Sequence, residues 1–184
     1  MKFTELSLKG AFLVEIEPIT DQRGFFGRAW CRQELEKHGL NGDIKQINTS
    51  LSHRKGTLRG LHYQADPYQE AKFIRCTKGS IFDIIIDLRP ESPTFLQWEG
   101  NMLSGNNYRM IYVPENFAHG LITLEDQTEV YYPVTEFYTP GAEKGIRWDD
   151  PAFNIQWPIF PVVISEKDSS HPDFDPETFQ KLNS

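Results

Sequence analysis

KFIRCTKGSIFDIIIDL, residues 72–88, settles the fold class by its alternation. Successive side chains of a strand point to opposite faces, so Lys72, Ile74 and Cys76 share one side of the first run. In the second run Phe82, Ile84, Ile86 and Leu88 share one side, while Asp83 and Asp87 alternate with Ile81 and Ile85 on the other. Two carboxylates in so apolar a strand face either solvent or a polar cavity, and composition leaves both open. Lys72, at a strand end, is of a type that ordinarily keeps its ammonium in water.

The same period of two recurs outward in both directions. Residues 11–17, 44–50, 58–63, 110–113, 120–124 and 128–134 read as strands, with Gly, Pro, Asn or Asp nearby to mark turns. Helical signals are few: Arg32–His38 followed by Gly39, and a short stretch at 176–182. Many short strands with glycine turns predict an all-β sandwich or closed barrel with a few short helices. No repeat, low-complexity tract or linker divides residues 1–184, which read as a single domain, and the Pro-rich stretch at 157–161 is expected to wrap its surface.

Composition narrows the function. A net charge of 19 − 26 = −7 argues against binding nucleic acid through its phosphates, though two or three local cations would serve one phosphorylated small molecule. Cys31 and Cys76 are the two cysteines, too few for a disulfide framework or a metal finger, which points to a reducing compartment. Lys9, Glu15 and Glu17 break the apolar stretch near the N-terminus, and no run reaches the roughly 18 apolar residues of a membrane helix. The chain therefore reads as soluble and cytoplasmic.

Several polar residues sort by parity before any family is considered. In GTLRGLHYQ (56–64), His62 shares a face with Leu58, Gly60 and Gln64, and Arg59 falls opposite. His62 is either a hydrogen-bonded core or surface histidine or a base, and Gly60 one pleat away leaves room for a ligand against the backbone. In TEVYYPV (128–134), Tyr131 and Tyr132 point opposite ways, one of them into core packing, and Pro133 marks a sheet edge or a strand end. His119 in PENFAHG has the look of a cupin metal motif. The His-x-His of the companion motif is missing, since Tyr63 and Gln64 follow His62, so no metal is expected. Arg23 and Arg28 flank Phe25 and Phe26 in DQRGFFGR, a pairing that suits phosphate and base contacts or simply surface charge beside core rings.

Nine segments in order carry a resemblance. DQRGFF (21–26), QINTS (46–50), GTLRGLHYQ (56–64), KFIRC (72–76), DLRPESPT (87–94), PENFAHG (114–120), TEVYY (128–132), GIRWDDP (145–151) and SEKD (165–168) resemble the dTDP-4-dehydrorhamnose 3,5-epimerase family almost end to end. The resemblance implies a cupin-like jelly-roll barrel and a homodimer whose N-terminal segment reaches the partner's site. It also implies a cofactor-free epimerisation at carbons 3 and 5 of an NDP-linked 4-keto-6-deoxy sugar. It assigns His62 as base, Asp168 as its hydrogen-bond partner, Lys72 beside the enolate oxygen and Tyr132 as the acid on the opposite face. A phenol, with an ordinary pKa of about 10, is protonated at neutral pH and can donate. Arg23 and Arg59 fall to the pyrophosphate, Gln46 and Asn48 to the nucleotide or sugar, His119 to the sugar pocket and Tyr138 to the base. Phe26, Glu143 and Lys167 join the binding set.

Two residues depart from the pattern. Arg28 stands where thymidine-specific members carry an acid, which leaves the nucleobase open, and Pro133 replaces a polar residue after the tyrosine. A mono-epimerase, a 3,4-ketoisomerase and a non-catalytic sugar-nucleotide-binding barrel are the alternatives these residues allow.

Overall fold

In the computed structural model, which describes residues 1–182, the stretch at 72–88 becomes two strands, β7 (Lys72–Lys78) and β8 (Ser80–Asp87), that enter different sheets. The larger sheet has the order β1 (Lys2–Glu5), β2 (Phe12–Glu15), β10 (Arg109–Val113), β7, β12 (Thr128–Val134) and β5 (Gln46–Ser52). The smaller has β13 (Glu143–Gly145), β6 (Leu58–Gln64), β11 (Phe117–Thr123), β8 and β9 (Trp98–Ser104). A separate hairpin joins β3 (Ile19–Asp21) to β4 (Gly24–Phe26). All strand pairs are antiparallel, and the chain passes repeatedly from one sheet to the other, the jelly-roll pattern of a cupin-like barrel.

Parity decides what each face buries. Ile74 and Cys76 of β7 meet Ile81 and Ile85 of β8 between the sheets, with Ile111, Val113, Phe117, Leu121 and Val130. Each fully buried isoleucine stabilises the fold by about 1.5–3 kcal/mol through loss of apolar hydration. Phe73, on the alternate face of β7, packs outside the larger sheet with Leu35 of α1 (Arg32–Lys37), Leu40 and Tyr112. Ile84 and Ile86 lie outside the smaller sheet beneath Phe153, Trp157 and Phe174, so Trp157, at the head of the stretch 157–161, packs over it. α1 stops where expected, with Gly39 at φ +70 just beyond it. α2 (Glu166–Ser169) is too short to leave a periodic signal, and α3 (Pro176–Leu182) has the expected bounds. No helix of the described residues is long and apolar enough to cross a membrane.

One local expectation changes, and two open ones are resolved. Lys72 is 7% exposed rather than solvated, because its strand end points between the sheets with Ile74 and Cys76. Tyr131 is 39% exposed, whereas Tyr132 packs against the inner core and borders the cavity, so one of the two points inward as alternation requires. Pro133 takes the strand-end alternative: it is next to last in β12, which is held between β7 and β5 and is no sheet edge.

The largest local irregularity is at Gly60. Between His119↔His62 and Leu121↔Arg59, two residues of β11 advance against three of β6. One extra residue is therefore accommodated in β6, the definition of a bulge, and the alternation beyond it is reset. Arg59 and His62, assigned to opposite faces by parity, consequently line one cavity. Gly60 makes this possible: its φ is +115, and a β-carbon there would lie 2.6 Å from Gly120 Cα and 2.8 Å from the His119 carbonyl oxygen. The room at Gly60 is taken by a neighbouring backbone, not left for a ligand.

Gly60→Ala combines an unfavourable φ with backbone overlap, and is expected to destabilise the fold by about 2–5 kcal/mol in urea unfolding. A loss under 1 kcal/mol would mean that β6 can shed the bulge.

Candidate active site

A cavity of about 520 Å³ opens between the sheets, lined by Arg59, His62, Lys72, His119, Tyr132, Glu143 and Asp168 among others. A smaller one of about 110 Å³ adjoins it and shares His62, Lys72, Tyr132 and Glu143, adding Gln46, Asn48, Glu70 and Tyr138. His62 comes from β6 in one sheet, Lys72 and Tyr132 from neighbouring strands β7 and β12 in the other. An imidazole and a phenol thus enter the same space from opposite walls.

Each charged group in that space has a partner. His62 Nε2 lies 2.8 Å from Asp168 Oδ1, so the carboxylate takes the Nε2–H and leaves Nδ1 as the basic nitrogen. Asp168 Oδ2 accepts the Gly60 amide at 3.1 Å, and the Asp168 amide donates to Ser165 Oγ, the N-cap of α2, at 3.0 Å. The bulge residue therefore also holds the carboxylate that orients the histidine. Burial alone would raise the Asp168 carboxyl; the His62 bond and charge, with the bonds from Gly60 and Ser165, outweigh it and hold the group below its ordinary value.

Lys72 Nζ sits 3.2 Å from Glu70 Oε1 and donates to the His62 carbonyl at 3.4 Å. His119 Nε2 lies 2.7 Å from Asp83 Oδ2, and Asp83 is fully buried with Oδ1 unpaired. Burial pushes the Asp83 carboxyl up. Of the two alternatives for the carboxylates of β8, solvent is ruled out for both, and Asp83 takes the cavity one through His119. Asp83 backs His119 at the cavity, whereas Asp87 accepts from Arg89 Nε at 2.8 Å, from Thr94 Oγ1 at 2.7 Å and from Ser92. Burial first, then the Glu70 charge, raises the Tyr132 phenol and keeps it protonated at neutral pH.

A polar cavity with a base, an ammonium and a phenol on opposing walls is suited to moving protons beside a carbonyl. The family model for dTDP-4-dehydrorhamnose 3,5-epimerase matches residues 5–176. The chain belongs to this family. It is 43% identical over 170 residues to the dTDP-4-dehydrorhamnose 3,5-epimerase of Methanothermobacter thermautotrophicus, covering 91% of each chain. Its fold superposes with a TM-score of 0.90 and 40% identity on the Bacillus anthracis dTDP-4-dehydrorhamnose 3,5-epimerase solved with TDP and PPi, covering 94% of this chain and 99% of that one. A Legionella pneumophila epimerase solved with dTDP-4-keto-L-rhamnose matches at TM-score 0.84 and 36% identity, over 91% of this chain and 89% of that one. The chain is accordingly a sugar-nucleotide epimerase, an isomerase by class.

Not every residue singled out in the sequence lines the epimerase cavity of its own chain. Arg23, Phe26 and Arg28 lie on or just after the β3–β4 hairpin and border neither of its two spaces. Arg23 is paired with Asp21, Phe26 is 74% exposed, and Arg28 Nη1 binds Glu34 at 2.6 Å. Lys167 is paired with Glu143 at the rim. Glu70 and His171 were not assigned to the site from the sequence, and Asp83 was singled out there without a partner. Asp83 meets His119, 36 positions away, with no local mark of it, whereas Glu70 stands two positions before Lys72, a spacing that could have suggested the pair. His171 contributes one atom to a group with His62 and Asp168 whose members lie within 4.8 Å of one another, the one His/Cys/Asp/Glu trio of metal-binding spacing among the described residues. Its His62 and Asp168 atoms are engaged with each other, so a cation would have to break that bond.

The depressed Asp168 carboxyl has a stability consequence of definite sign. Its contribution is complete above the ordinary aspartate value of about 3.9 and is lost as pH falls through the lower folded value. In urea unfolding, the stability advantage of the wild type over Asp168→Asn should therefore shrink from about pH 5 downward. An advantage that grows toward pH 2 would contradict the assignment.

Proposed function

We propose that the enzyme inverts both carbon 3 and carbon 5 of a dTDP-linked 4-keto-6-deoxyhexose, using His62 and Tyr132 on opposite faces of the sugar. The observation that carries this reading is that the two side chains arise from opposite sheets yet border the same two cavities. A proton beside a ketone is too weakly acidic for an isolated imidazole, so abstraction needs the charge on oxygen to be met as it forms. Lys72, held by Glu70 and the His62 carbonyl, is the group for that oxygen. His62 Nδ1 takes the proton on one face, and the Tyr132 phenol returns one on the other. Asp168 fixes the tautomer and steadies the imidazolium, and His119 on Asp83 contacts the sugar.

The nucleotide follows from the same assignment. Arg59 donates to Ser52 Oγ at 3.1 Å and reaches the cavity from its exposed rim, a position suited to the pyrophosphate. Gln46, Asn48 and Tyr138 surround the smaller cavity, with Gln46 Oε1 accepting the Tyr138 amide at 3.3 Å, and fit the sugar and base. Glu143 and Lys167 close the rim. Arg23, Phe26 and Arg28, outside the cavity of their own chain, are assigned to a partner's cavity in a homodimer. The exposed Ile19 and Phe26 of their hairpin support such a docking. The free thiols of Cys31 and Cys76 suit a reducing cytoplasm.

Turnover of the dTDP-linked 4-keto substrate in deuterated water should place deuterium at both carbons. Exchange at carbon 3 alone would reduce the enzyme to a mono-epimerase, and a shifted carbonyl would make it a ketoisomerase. His62→Ala should lower turnover by roughly 10²–10⁴-fold with little change in nucleotide affinity. Tyr132→Phe should keep exchange better than inversion; equal loss of both would remove Tyr132 as the acid. Sedimentation of the full chain should give the mass of two copies, and a mass of one copy would rule out the shared site.

A further inference from the structure

Inverting two carbons imposes a condition that inverting one does not. Each inversion leaves a proton on His62 and takes one from Tyr132, so both groups must be reset before the second carbon can react. This inference rests on the two-carbon reading above. Asp168 occupies Nε2 of His62, so the surplus proton resides on Nδ1, the nitrogen assigned above as the base. A relay backward through Asp168 would carry off the Nε2 proton and leave Nδ1 blocked. The proton has to leave from Nδ1 itself.

One group stands at that nitrogen. Glu143 Oε1 is 3.9 Å from His62 Nδ1, close enough to bond after a small shift. Its strand, β13, pairs directly with β6, Gly145 opposite His62, so the carboxylate is built onto the same sheet as the base. Lys167 Nζ binds the other oxygen, Oε2, and leaves Oε1 turned to the histidine. Glu143 borders both cavities, as Tyr132 does, and the smaller one, at about 110 Å³, has room for a few waters at roughly 30 Å³ each. A carboxylate beside the working nitrogen of a base is otherwise an odd neighbour for a group that needs only to bind sugar.

We propose that Glu143 carries the proton from His62 to the water of the smaller cavity, from which Tyr132 is recharged, between the two inversions. The substrate C–H bond breaks, its electron pair enters the enolate, and the proton moves to Nδ1. Tyr132 O–H protonates the opposite face, the enolate pair forms the new C–H bond, and a phenolate remains. Nδ1–H then passes to Glu143 Oε1 and on to cavity water, while the phenolate takes a proton from that water. His62, Glu143 and Tyr132 return to their starting states. Burial would raise the Glu143 carboxyl, but the Lys167 bond and the charges of His62, Lys167 and Lys72 hold it low, so it is ionised when the proton arrives and holds it only in passing. Glu143 performs this step on His62, in addition to its place in the binding set.

The test is a single-turnover time course that follows carbons 3 and 5 separately in the wild type, Glu143→Gln and Glu143→Ala. In Glu143→Gln the second inversion should slow at least tenfold more than the first, with singly inverted sugar accumulating. Formate, a carboxylate small enough for the vacated space, should restore the second inversion of Glu143→Ala in proportion to its concentration. Equal slowing of both carbons, a rise in KM alone, or no response to formate in a folded Glu143→Ala that binds nucleotide would each overturn the proposal. Single inversion by the wild type would instead overturn the two-carbon reading, so the two failures are told apart.

Discussion

The contact between Gly60 and the backbone of Gly120 is the constraint on which the site depends. Two strands approach so closely there that a β-carbon at position 60 would overlap the neighbouring chain, and the φ of +115 suits glycine alone. The extra residue held in β6 turns Arg59 and His62 to the same cavity. The Gly60 amide is at the same time a donor to Asp168, the carboxylate that orients His62. Fold geometry and the tautomer of the base are thus tied at one residue.

Around that point the cavity is organised by paired charges. His62 is set against Asp168, His119 against Asp83, Lys72 against Glu70, and Glu143 against Lys167. An isolated ion between two apolar sheets would be strongly disfavoured, and pairing is the usual condition for keeping one there. Pairing also fixes direction. The imidazole of His62 is held from behind, so the nitrogen available for chemistry is known. The Lys72 ammonium is anchored by two acceptors on nearby segments, which restricts where its remaining N–H can point. Tyr132 has a different control: burial and the Glu70 charge keep its phenol protonated, the state the proposed acid requires.

The barrel supplies what a pair of residues on one strand cannot. Groups on one face of one sheet approach a ligand from a single side, whereas inversion calls for a donor and an acceptor of protons on opposite sides. Two sheets facing each other, with the core filling one part of the gap and a polar cavity the rest, meet that need without any moving element. The β3–β4 hairpin, bearing Arg23 and Phe26, lines neither space of its own cavity and exposes the rings of Phe25 and Phe26.

Alternation along 72–88 was enough to place Lys72 with Ile74 and Cys76, and the order of nine short motifs was enough to mark the family and most of the residues around the cavity. Those features are local, because a strand shows its two faces in its own residues. What tertiary structure alone decided lies in contacts between distant segments. Parity put Arg59 and His62 on opposite faces, and only the approach of Gly120, sixty positions away, reverses that. Which partner Asp83 met depended on β11 crossing beside β8 and bringing His119, whereas Asp87 is met by Arg89, two positions further along the chain. Glu70 lies only two positions from Lys72 and His171 three from Asp168, but their place at the cavity follows from the packing of β7 and α2 against His62. A sequence records the pleat of each strand; register, and with it the company each side chain keeps, belongs to the folded whole.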